Sequence, residues 1–342
     1  MAGMDIFNDD AFSMFELTAA INHAPFAPSL LRDMGLFRAQ GVMTTHVAIE
    51  ENHGTLTVVP TSERGSPPTN SENASRKMRN FNIPHLSRAA RLRADEIQGV
   101  RAFGSLSELE AMETLVNQRI AQKTQEMDLT EERMMLAAIK GILVDADDST
   151  IYNYYTEFGV TAPSAVSFGF AAITQENADS AVIQKKCMGV KRSMKKALGG
   201  MSTSAMSIYA LCGDNFFDAL IGNAETRAPY KNWQAAQQLM DQNLAYETFK
   251  YGGVTFINYQ GDDDGVAEIG TDECRFFARN VPGLFDIYYA PADTFEFANT
   301  LGLPRYVLPF RDPRDKFWEA EVQSNPLAIC TRPKSLIKGT KA

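Results

Sequence analysis

Basic side chains are concentrated in one segment of this acidic chain. Between positions 76 and 94 there are six basic residues and no acid: Arg76, Lys77, Arg79, Arg88, Arg91 and Arg93. Because the formal charge of the chain is −9, we expect this segment to bind acidic groups on a second copy of the protein or on nucleic acid. A solvated charged ribbon is the alternative. Phe81 is the one aromatic residue in the segment, which makes nucleic acid the weakest of the three interpretations.

The residue types that catalysis needs are not brought together by the sequence. All four histidines, His23, His46, His53 and His85, lie in the first quarter of the chain. A Ser-His-Asp or Cys-His site would have to reach back to that region. No Gly-x-Gly-x-x-Gly motif opens a helix after a strand, and no Walker loop is present. We therefore predict no catalytic residues, no cofactor and no enzyme activity.

Two acidic clusters resemble metal loops but fit turns better. If Gly265 held position six of a calcium loop, Gln260 would hold position one and Thr271 position twelve, which excludes an EF-hand. The tip of a hairpin is favoured for residues 261–265, and a turn for residues 145–148. We predict no metal site.

Composition is that of an ordinary globular protein. The chain has 342 residues, 44% of them apolar and 22% charged, which suggests about two domains. No segment approaches the ~18 apolar residues of a membrane span, and the acidic start lacks the pattern of a secretory signal. The four cysteines are scattered without a Cys-x-x-Cys motif, so we expect reduced, mostly buried thiols in a cytosolic product.

Residues 105–142 are the element that must position the rest, because their pattern predicts one long spine helix. Apolar residues recur at helical intervals along one stripe of a polar rod: Leu109, Met112, Val116, Ile120, Met127, Met134, Ala138 and Ile142. Ser105 with Glu108 forms a capping box, and Gly141 predicts a left-handed stop. Such a helix spans roughly 55 Å. A second helix start, with a kink or break, is an alternative at Asp128.

The basic segment belongs to a predicted protruding β arm. Residues 44–61 are rich in β-forming side chains around Asn52, His53 and Gly54, which predicts a hairpin with its turn there. Residues 62–77 have almost no apolar side chain and predict a flexible or extended excursion. Strand character resumes at Phe81.

Three further regions complete the expected architecture. Residues 142–158 predict a hairpin directly after the spine helix. Residues 176–300 alternate helices and strands, including a basic helix predicted to begin at Glu176 and to end at Gly199. We therefore expect an α+β domain with a small antiparallel or mixed sheet. The last segment of the chain is rich in β-forming residues, and we expect it to pack beside the spine helix.

Four passages resemble one known family, the lambda-type major capsid protein E family of tailed bacteriophages, which has the Hong Kong phage capsid fold. They are NDDAFSMFELTAAINHAPFAPSLLRDMGLF (8–37), MTTHVAIEENHGTLTVVPTSERGSPP (43–68), MMLAAIKGILVDADDSTIYNYYTEFG (134–159) and the long segment from FFARNVPG to PKSLI (276–337). The resemblance covers essentially the whole chain. It is carried by the order of the motifs more than by any single motif.

The resemblance implies an α+β phage major-capsid fold in four parts. These are an N-terminal arm (1–43), an extended β-hairpin loop (44–94), a peripheral domain with the spine helix (95–175 with 303–342) and an α/β axial domain (176–302).

The resemblance also implies a function. Subunits of the family form pentamers and hexamers of an icosahedral shell around double-stranded DNA, without sequence-specific binding and without a membrane. Implied partners are other copies, a scaffold, a protease, a portal and a decoration protein, with assembly in the host cytoplasm.

Two alternatives remain at the level of sequence. An encapsulin-type compartment shares the implied fold but packages enzymes. A soluble α+β enzyme would use carboxylates within residues 176–302, and a pocket with convergent carboxylates of strongly shifted pKa would favour it.

Overall fold

The computed structural model describes residues 29–53, 75–93, 108–176, 178–239, 246–259, 268–311 and 317–342. The α-helices in these ranges are α1 (Leu30–Asp33), α2 (Glu108–Lys140), α3 (Tyr154–Glu157), α4 (Val182–Leu198), α5 (Asp214–Gly222) and α6 (Arg227–Leu239). The strands are β1 (Arg38–Gly41), β2 (His46–His53), β3 (Ser75–Asn82), β4 (Leu86–Arg93), β5 (Ile142–Val144), β6 (Thr150–Asn153), β7 (Val166–Ser167), β8 (Ser207–Cys212), β9 (Thr248–Tyr251), β10 (Val254–Asn258), β11 (Glu273–Arg279), β12 (Phe285–Tyr289), β13 (Tyr306–Arg311), β14 (Phe317–Ser324), β15 (Pro326–Cys330) and β16 (Ile337–Thr340).

Helix α2 is the predicted spine helix. It has 33 residues and is therefore about 50 Å long. It runs without interruption through Asp128, so the alternative of a break there is wrong. Gly141 follows it with φ +83°, a conformation that glycine adopts without strain, so the predicted stop is confirmed. Ile142 begins β5 and is exposed, so it does not belong to the helical stripe.

The C-terminal half of α2 is enclosed by the rest of the protein. All side chains from position 134 to 139 are buried, whereas one stripe of a polar rod was expected. Of these six residues, Met134 and Ala138 belong to the predicted stripe. The short side chain of Ala137 allows close packing on a side that the stripe pattern leaves to solvent. Strands β14 and β15 lie against α2, which confirms that the last segment returns to the spine helix.

Strands β2 and β3 form the β arm, a two-stranded antiparallel ribbon. The predicted turn at Asn52 and His53 is wrong, because both residues continue β2 and pair with Arg76 and Ser75. The glycine at position 54 suggested a local turn, but the partner strand lies more than twenty residues further along the chain. Residues 54–74 lie outside the described ranges.

A six-stranded mixed sheet organises the main core. Its order is β7-β16-β11-β8-β10-β9, with β8 parallel to β10 and antiparallel to β11. The mixed sheet predicted for residues 176–300 is therefore present. Strands β7 and β16 join it from outside that range, so the sheet crosses the predicted limits of the axial domain. The four-part division remains a prediction.

Helix α4 packs one face on this sheet and turns a basic face outward. Its buried side chains are Ile183, Cys187, Val190, Met194 and Leu198. It begins at Val182 rather than near Glu176, because Ala181 has a left-handed backbone. Gly199, with φ +54°, ends it as predicted.

Two three-stranded sheets lie beside the spine helix. One has the order β1-β12-β15, and the other has the order β13-β14-β4. The hairpin of β5 and β6 follows α2, as predicted, with Asp148 in its turn at φ +63°. Residues Tyr154–Glu157 form α3 instead of continuing the hairpin. Asn153 caps this helix by accepting a hydrogen bond from the Tyr155 amide at 3.0 Å.

Several predictions concern residues outside the described ranges: the cap at Ser105, the turn at 261–265 and residues 1–28 of the N-terminal arm. All four cysteines are free and buried, as expected. Among the described helices, none combines the length and apolar character needed to cross a lipid bilayer.

Candidate intersubunit surface

The β arm depends on contacts at its base. Its register runs from His46 opposite Asn82 to His53 opposite Ser75, and in the described part of the chain no third strand pairs with it. A two-stranded ribbon is marginally stable in water by itself. The body of the protein must therefore hold the arm where β2 begins and β3 ends.

Phe81 is the anchor at that base. Its side chain is 0% exposed, and its ring centroid lies 5.4 Å from Tyr152 and 5.8 Å from Phe158. The Tyr152 hydroxyl accepts a hydrogen bond from the Asn82 amide at 2.8 Å and donates one to the Asn82 carbonyl at 3.1 Å. The β5–β6 hairpin thus holds the end of β3 through an aromatic cluster and two hydrogen bonds between the Tyr152 hydroxyl and the Asn82 backbone.

Exposure increases along β3 away from this anchor. Alternate residues of a strand share a face, and on one face Phe81 is buried, Arg79 is half-buried and Lys77 is exposed. On the opposite face Met78 is 70% exposed. The arm therefore leaves the body of the subunit and presents Lys77 and Met78 to the surroundings.

Arg79 belongs to the anchor. Its guanidinium donates a hydrogen bond to the Phe158 carbonyl at 3.0 Å and lies 5.2 Å from the centre of the Phe158 ring. Both contacts orient the arm on α3 and the residues that follow it. Its charged group is engaged within the chain.

Two other basic residues find acid within the chain. On β4, Arg88 approaches Glu126 of the spine helix at 3.7 Å, and Arg91 approaches Glu319 of β14 at 2.8 Å. Arg91 also stacks on the Phe317 ring at 4.3 Å. Neither pair is visible in the sequence, because both carboxylates are remote along the chain from β4. The pairs are solvent-exposed and contribute at most about 1 kcal/mol each.

The structure thus separates the six basic residues. Those on β3 belong to the arm, and those on β4 lie along β14. The side chains of Arg76 and Arg93 lie outside the described part. Lys77 is exposed on the arm, and its contact with a neighbour remains a prediction.

An ion cluster around the buried Glu131 joins the spine helix to two distant segments. Arg305 approaches Asp128 at 2.6 Å and Glu131 at 2.5 Å, and Arg32 approaches the same two carboxylates at 3.1 and 3.6 Å. Tyr289 donates a hydrogen bond to Glu131. Burial and the neighbouring carboxylate raise the pKa of Tyr289, which keeps this donor protonated. Sequence reasoning missed the cluster, since no local pattern links residues so far apart.

Glu132 makes a second link, between the spine helix and α1. Its buried carboxylate accepts hydrogen bonds from the Leu31 amide at 2.8 Å and the Arg32 amide at 3.4 Å. Burial raises the pKa of Glu132 to about 7, and the two backbone hydrogen bonds and Arg32 oppose this only in part. The described beginning of the chain is therefore fixed to α2 by a group that titrates near neutrality.

Glu132→Gln is expected to reduce the pH dependence of stability. The ordinary pKa of 4.5 is raised to about 7 on folding, so the folded chain keeps a proton that the unfolded chain loses. The resulting stabilisation is complete below pH 4.5 and is lost as the pH rises through 7, by on the order of 3 kcal/mol. Glutamine cannot titrate, so unfolding free energies at pH 5 and 8 should differ less than in the wild type. Exposed Glu157→Gln is the control, and equal differences in all three proteins would contradict the assignment.

The described residues do not support the enzyme alternative. The carboxylate with a pKa raised to about 7 is Glu132, outside residues 176–302 and buried between helices. Within that range, the pKa of Glu273 lies below its ordinary value. Burial acts to raise this pKa, but the hydrogen bond with Lys338 and the positive charge of Arg275 outweigh the effect of burial. Across the described ranges, no group of three or more His, Cys, Asp or Glu residues is arranged to hold a metal ion.

Comparison with known proteins identifies the family. A family model described as phage major capsid protein E matches residues 13–341. The chain belongs to the phage major capsid protein E family. It is therefore a structural protein of a phage head and a component of the virion. The encapsulin and enzyme alternatives are not supported.

Curated relatives and solved structures agree with this family. The major capsid protein of Pseudomonas phage KPP10 is 25% identical, over 97% of each chain, and that of Salmonella phage Felix O1 is 24% identical, over 95% of each. The capsid structures of cyanophage A-1(L) and Myoviridae phage XM1 superpose with TM-scores of 0.54 and 0.55 at 12% and 11% identity. Each alignment covers 93% of this chain and 94% of the other. The α+β capsid fold predicted from the sequence is confirmed.

Proposed function

We propose that this capsid protein assembles into pentamers and hexamers that close as an icosahedral shell around packaged double-stranded DNA. The family match across residues 13–341 carries the proposal. The net charge of −9 disfavours extensive neutralisation of DNA phosphates, so the shell encloses DNA without sequence-specific binding.

In this proposal the β arm joins neighbouring subunits. Its base is anchored by Phe81 and Arg79, while Lys77 and Met78 are exposed further along β3. An extended element that leaves the body of one copy is suited to repeated contacts with the next copy. The spine helix holds the base of the arm and the β5–β6 hairpin in one fixed arrangement.

We assign the four predicted parts the same roles. Residues 1–43 form an N-terminal arm, 44–94 an extended loop, 95–175 with 303–342 a peripheral domain, and 176–302 an axial domain near the capsomer centre. Partners are a scaffold, a protease, a portal and a decoration protein, and assembly takes place in the host cytoplasm. Co-expression with the proteins encoded beside this chain tests these partners through the yield of closed shells.

Sedimentation velocity of the purified protein tests self-assembly. We expect species far larger than the 37.8 kDa chain, with capsomers and shells as separate boundaries. A single 37.8 kDa species at every salt concentration, with and without the co-expressed scaffold, would contradict the proposed function.

Lys77→Glu is expected to weaken assembly without unfolding the subunit. The side chain is exposed on the arm, and reversal of its charge replaces an attraction to acid on a neighbour by repulsion. We expect the protein concentration needed for assembly to rise about tenfold, equivalent to about 1.4 kcal/mol, and more at low salt. Light scattering during assembly measures this concentration.

Lys195→Glu is the matched control, because it makes the same charge change on the exposed face of α4. If Lys77→Glu assembles like Lys195→Glu and like the wild type, Lys77 does not contact a neighbour. The solvated charged ribbon would then describe this part of the arm.

A further inference from the structure

Exposed apolar side chains are concentrated beside β13 and at the base of the β arm. Among the described residues, five of the exposed large apolar side chains lie between positions 295 and 310: Phe295, Leu301, Leu303, Val307 and Phe310. Met43 is 59% exposed and lies next to them, since the amide of Gly302 donates a hydrogen bond to the Val42 carbonyl at 2.9 Å. Such a concentration on a soluble subunit indicates a surface that another molecule covers.

Phe295 is the most exposed of these residues and is held in an ordered loop. Its relative exposure is 104%. A turn hydrogen bond from the Phe297 amide to the Thr294 carbonyl at 3.2 Å encloses Phe295, and a second turn follows, from the Thr300 amide to the Phe297 carbonyl at 3.1 Å. The Phe297 ring packs on Tyr306 with a centroid distance of 4.9 Å. Phe295 is therefore a preorganised aromatic anchor, which loses little conformational entropy when it binds.

A cleft opens directly beside this anchor. It has a volume of about 700 Å³, and its apolar walls include Met43, Ile83, Pro291 and Ala298. Phe295 itself is one of the residues that line it.

The wall of the cleft is also fixed. The side-chain oxygen of Asn325 accepts a hydrogen bond from Nδ1 of His85 at 2.8 Å, and its side-chain nitrogen donates one to the Pro291 carbonyl at 2.7 Å. The amide of Ala290 donates to the Asn325 carbonyl at 3.0 Å. Exposed Asp293 and Glu296 flank Phe295 and provide the polar rim that is usual around an apolar contact.

We propose that the cleft and Phe295 form a contact between two copies of this chain, with Phe295 of each copy seated in the cleft of the other. One surface carries both an aromatic projection and an apolar recess, so two copies related by a two-fold rotation satisfy each other twice. The inference rests on the proposed function, because a closed icosahedral shell has two-fold axes at which identical surfaces meet. The contact lies at the base of the arm and is separate from the contact of Lys77.

Phe295→Ser tests the contact. Because the side chain is fully exposed in the subunit, the thermal unfolding temperature of the unassembled subunit should be unchanged. The yield of closed shells at fixed protein concentration should fall at least tenfold. Met188→Ser is the control, because it removes an exposed apolar side chain elsewhere, on α4. It should assemble like the wild type.

The outcomes separate this inference from the proposed function. If the wild type and Met188→Ser form shells and Phe295→Ser forms them equally well, the contact is overturned and the proposed function stands. If the wild type forms no shells, the proposed function fails and this contact falls with it.

Cysteine labelling gives an independent readout that keeps Phe295 in place. The native cysteines are buried, and burial raises the pKa of Cys187 and of Cys330 to about 12, so they should react slowly with a maleimide. Glu296→Cys should be labelled in dissociated subunits and protected in shells of this chain alone. Equal labelling in both states would overturn the contact, as would protection that appears only after a second protein is added.

Discussion

Phe81→Ala should destabilise the subunit by about 3–5 kcal/mol and should also abolish shell assembly. The ring is 0% exposed and packs against Tyr152, Tyr154 and Phe158. Its removal leaves a cavity in the aromatic cluster that holds the β arm on the body. Denaturant unfolding measures the first effect, and the yield of shells under conditions in which the variant remains folded measures the second.

Met78→Ala provides the control for this prediction. It lies on the same strand but is 70% exposed, so the free energy of unfolding should change by less than about 0.5 kcal/mol. A Phe81→Ala variant as stable as Met78→Ala would show that the aromatic cluster does not hold the arm. A folded Phe81→Ala variant with normal shells would show that a fixed arm is not needed for assembly.

Arg305→Ala should destabilise the subunit by about 3 kcal/mol. The side chain of Glu131 is only 7% exposed, and loss of its contact with Arg305 at 2.5 Å leaves Arg32 at 3.6 Å as the remaining cation. A buried carboxylate with too little compensating charge carries a desolvation cost. The measurement is the midpoint and slope of urea unfolding at pH 8.

A double-mutant cycle makes this prediction specific. In a Glu131→Gln background the charge is absent, so Arg305→Ala should be less destabilising than in the wild type by about 1–3 kcal/mol. Lys341→Ala removes an exposed pair with Asp272 at 3.7 Å and should have almost no effect. If the effects of Arg305→Ala and Glu131→Gln simply add, the cluster does not act as a unit.

Local sequence patterns were sufficient to predict many helices and strands, but not which distant segments pair or pack with them. The stop at Gly141 and the end of α4 at Gly199 could be predicted because each needs only a glycine after a helical run. The continuation of β2 through Asn52 and His53 could not be predicted, because the choice between a tight hairpin and a continuing strand depends on β3, beyond residue 74. Packing on all sides of residues 134–139 was hidden for the same reason.

The candidate surface was predicted in outline only. A basic, apolar-poor segment indicated a protruding arm, and Lys77 remains on it. The contacts that Arg79 and Arg91 make within their own chain are with Phe158 and Glu319. Both partners are remote in sequence. The cleft beside Phe295 gave no signal in the sequence, since exposed and buried phenylalanines are indistinguishable without a fold.

Cryo-electron microscopy of the assembled protein tests the central claim most directly, because it shows both the particle and the path of each arm. We predict closed icosahedral shells of pentamers and hexamers, in which the β arm of every subunit lies on a neighbouring copy while Phe81 stays in the aromatic cluster of its own chain. Monomers or open aggregates alone, or shells in which each arm contacts only its own subunit, would contradict the account.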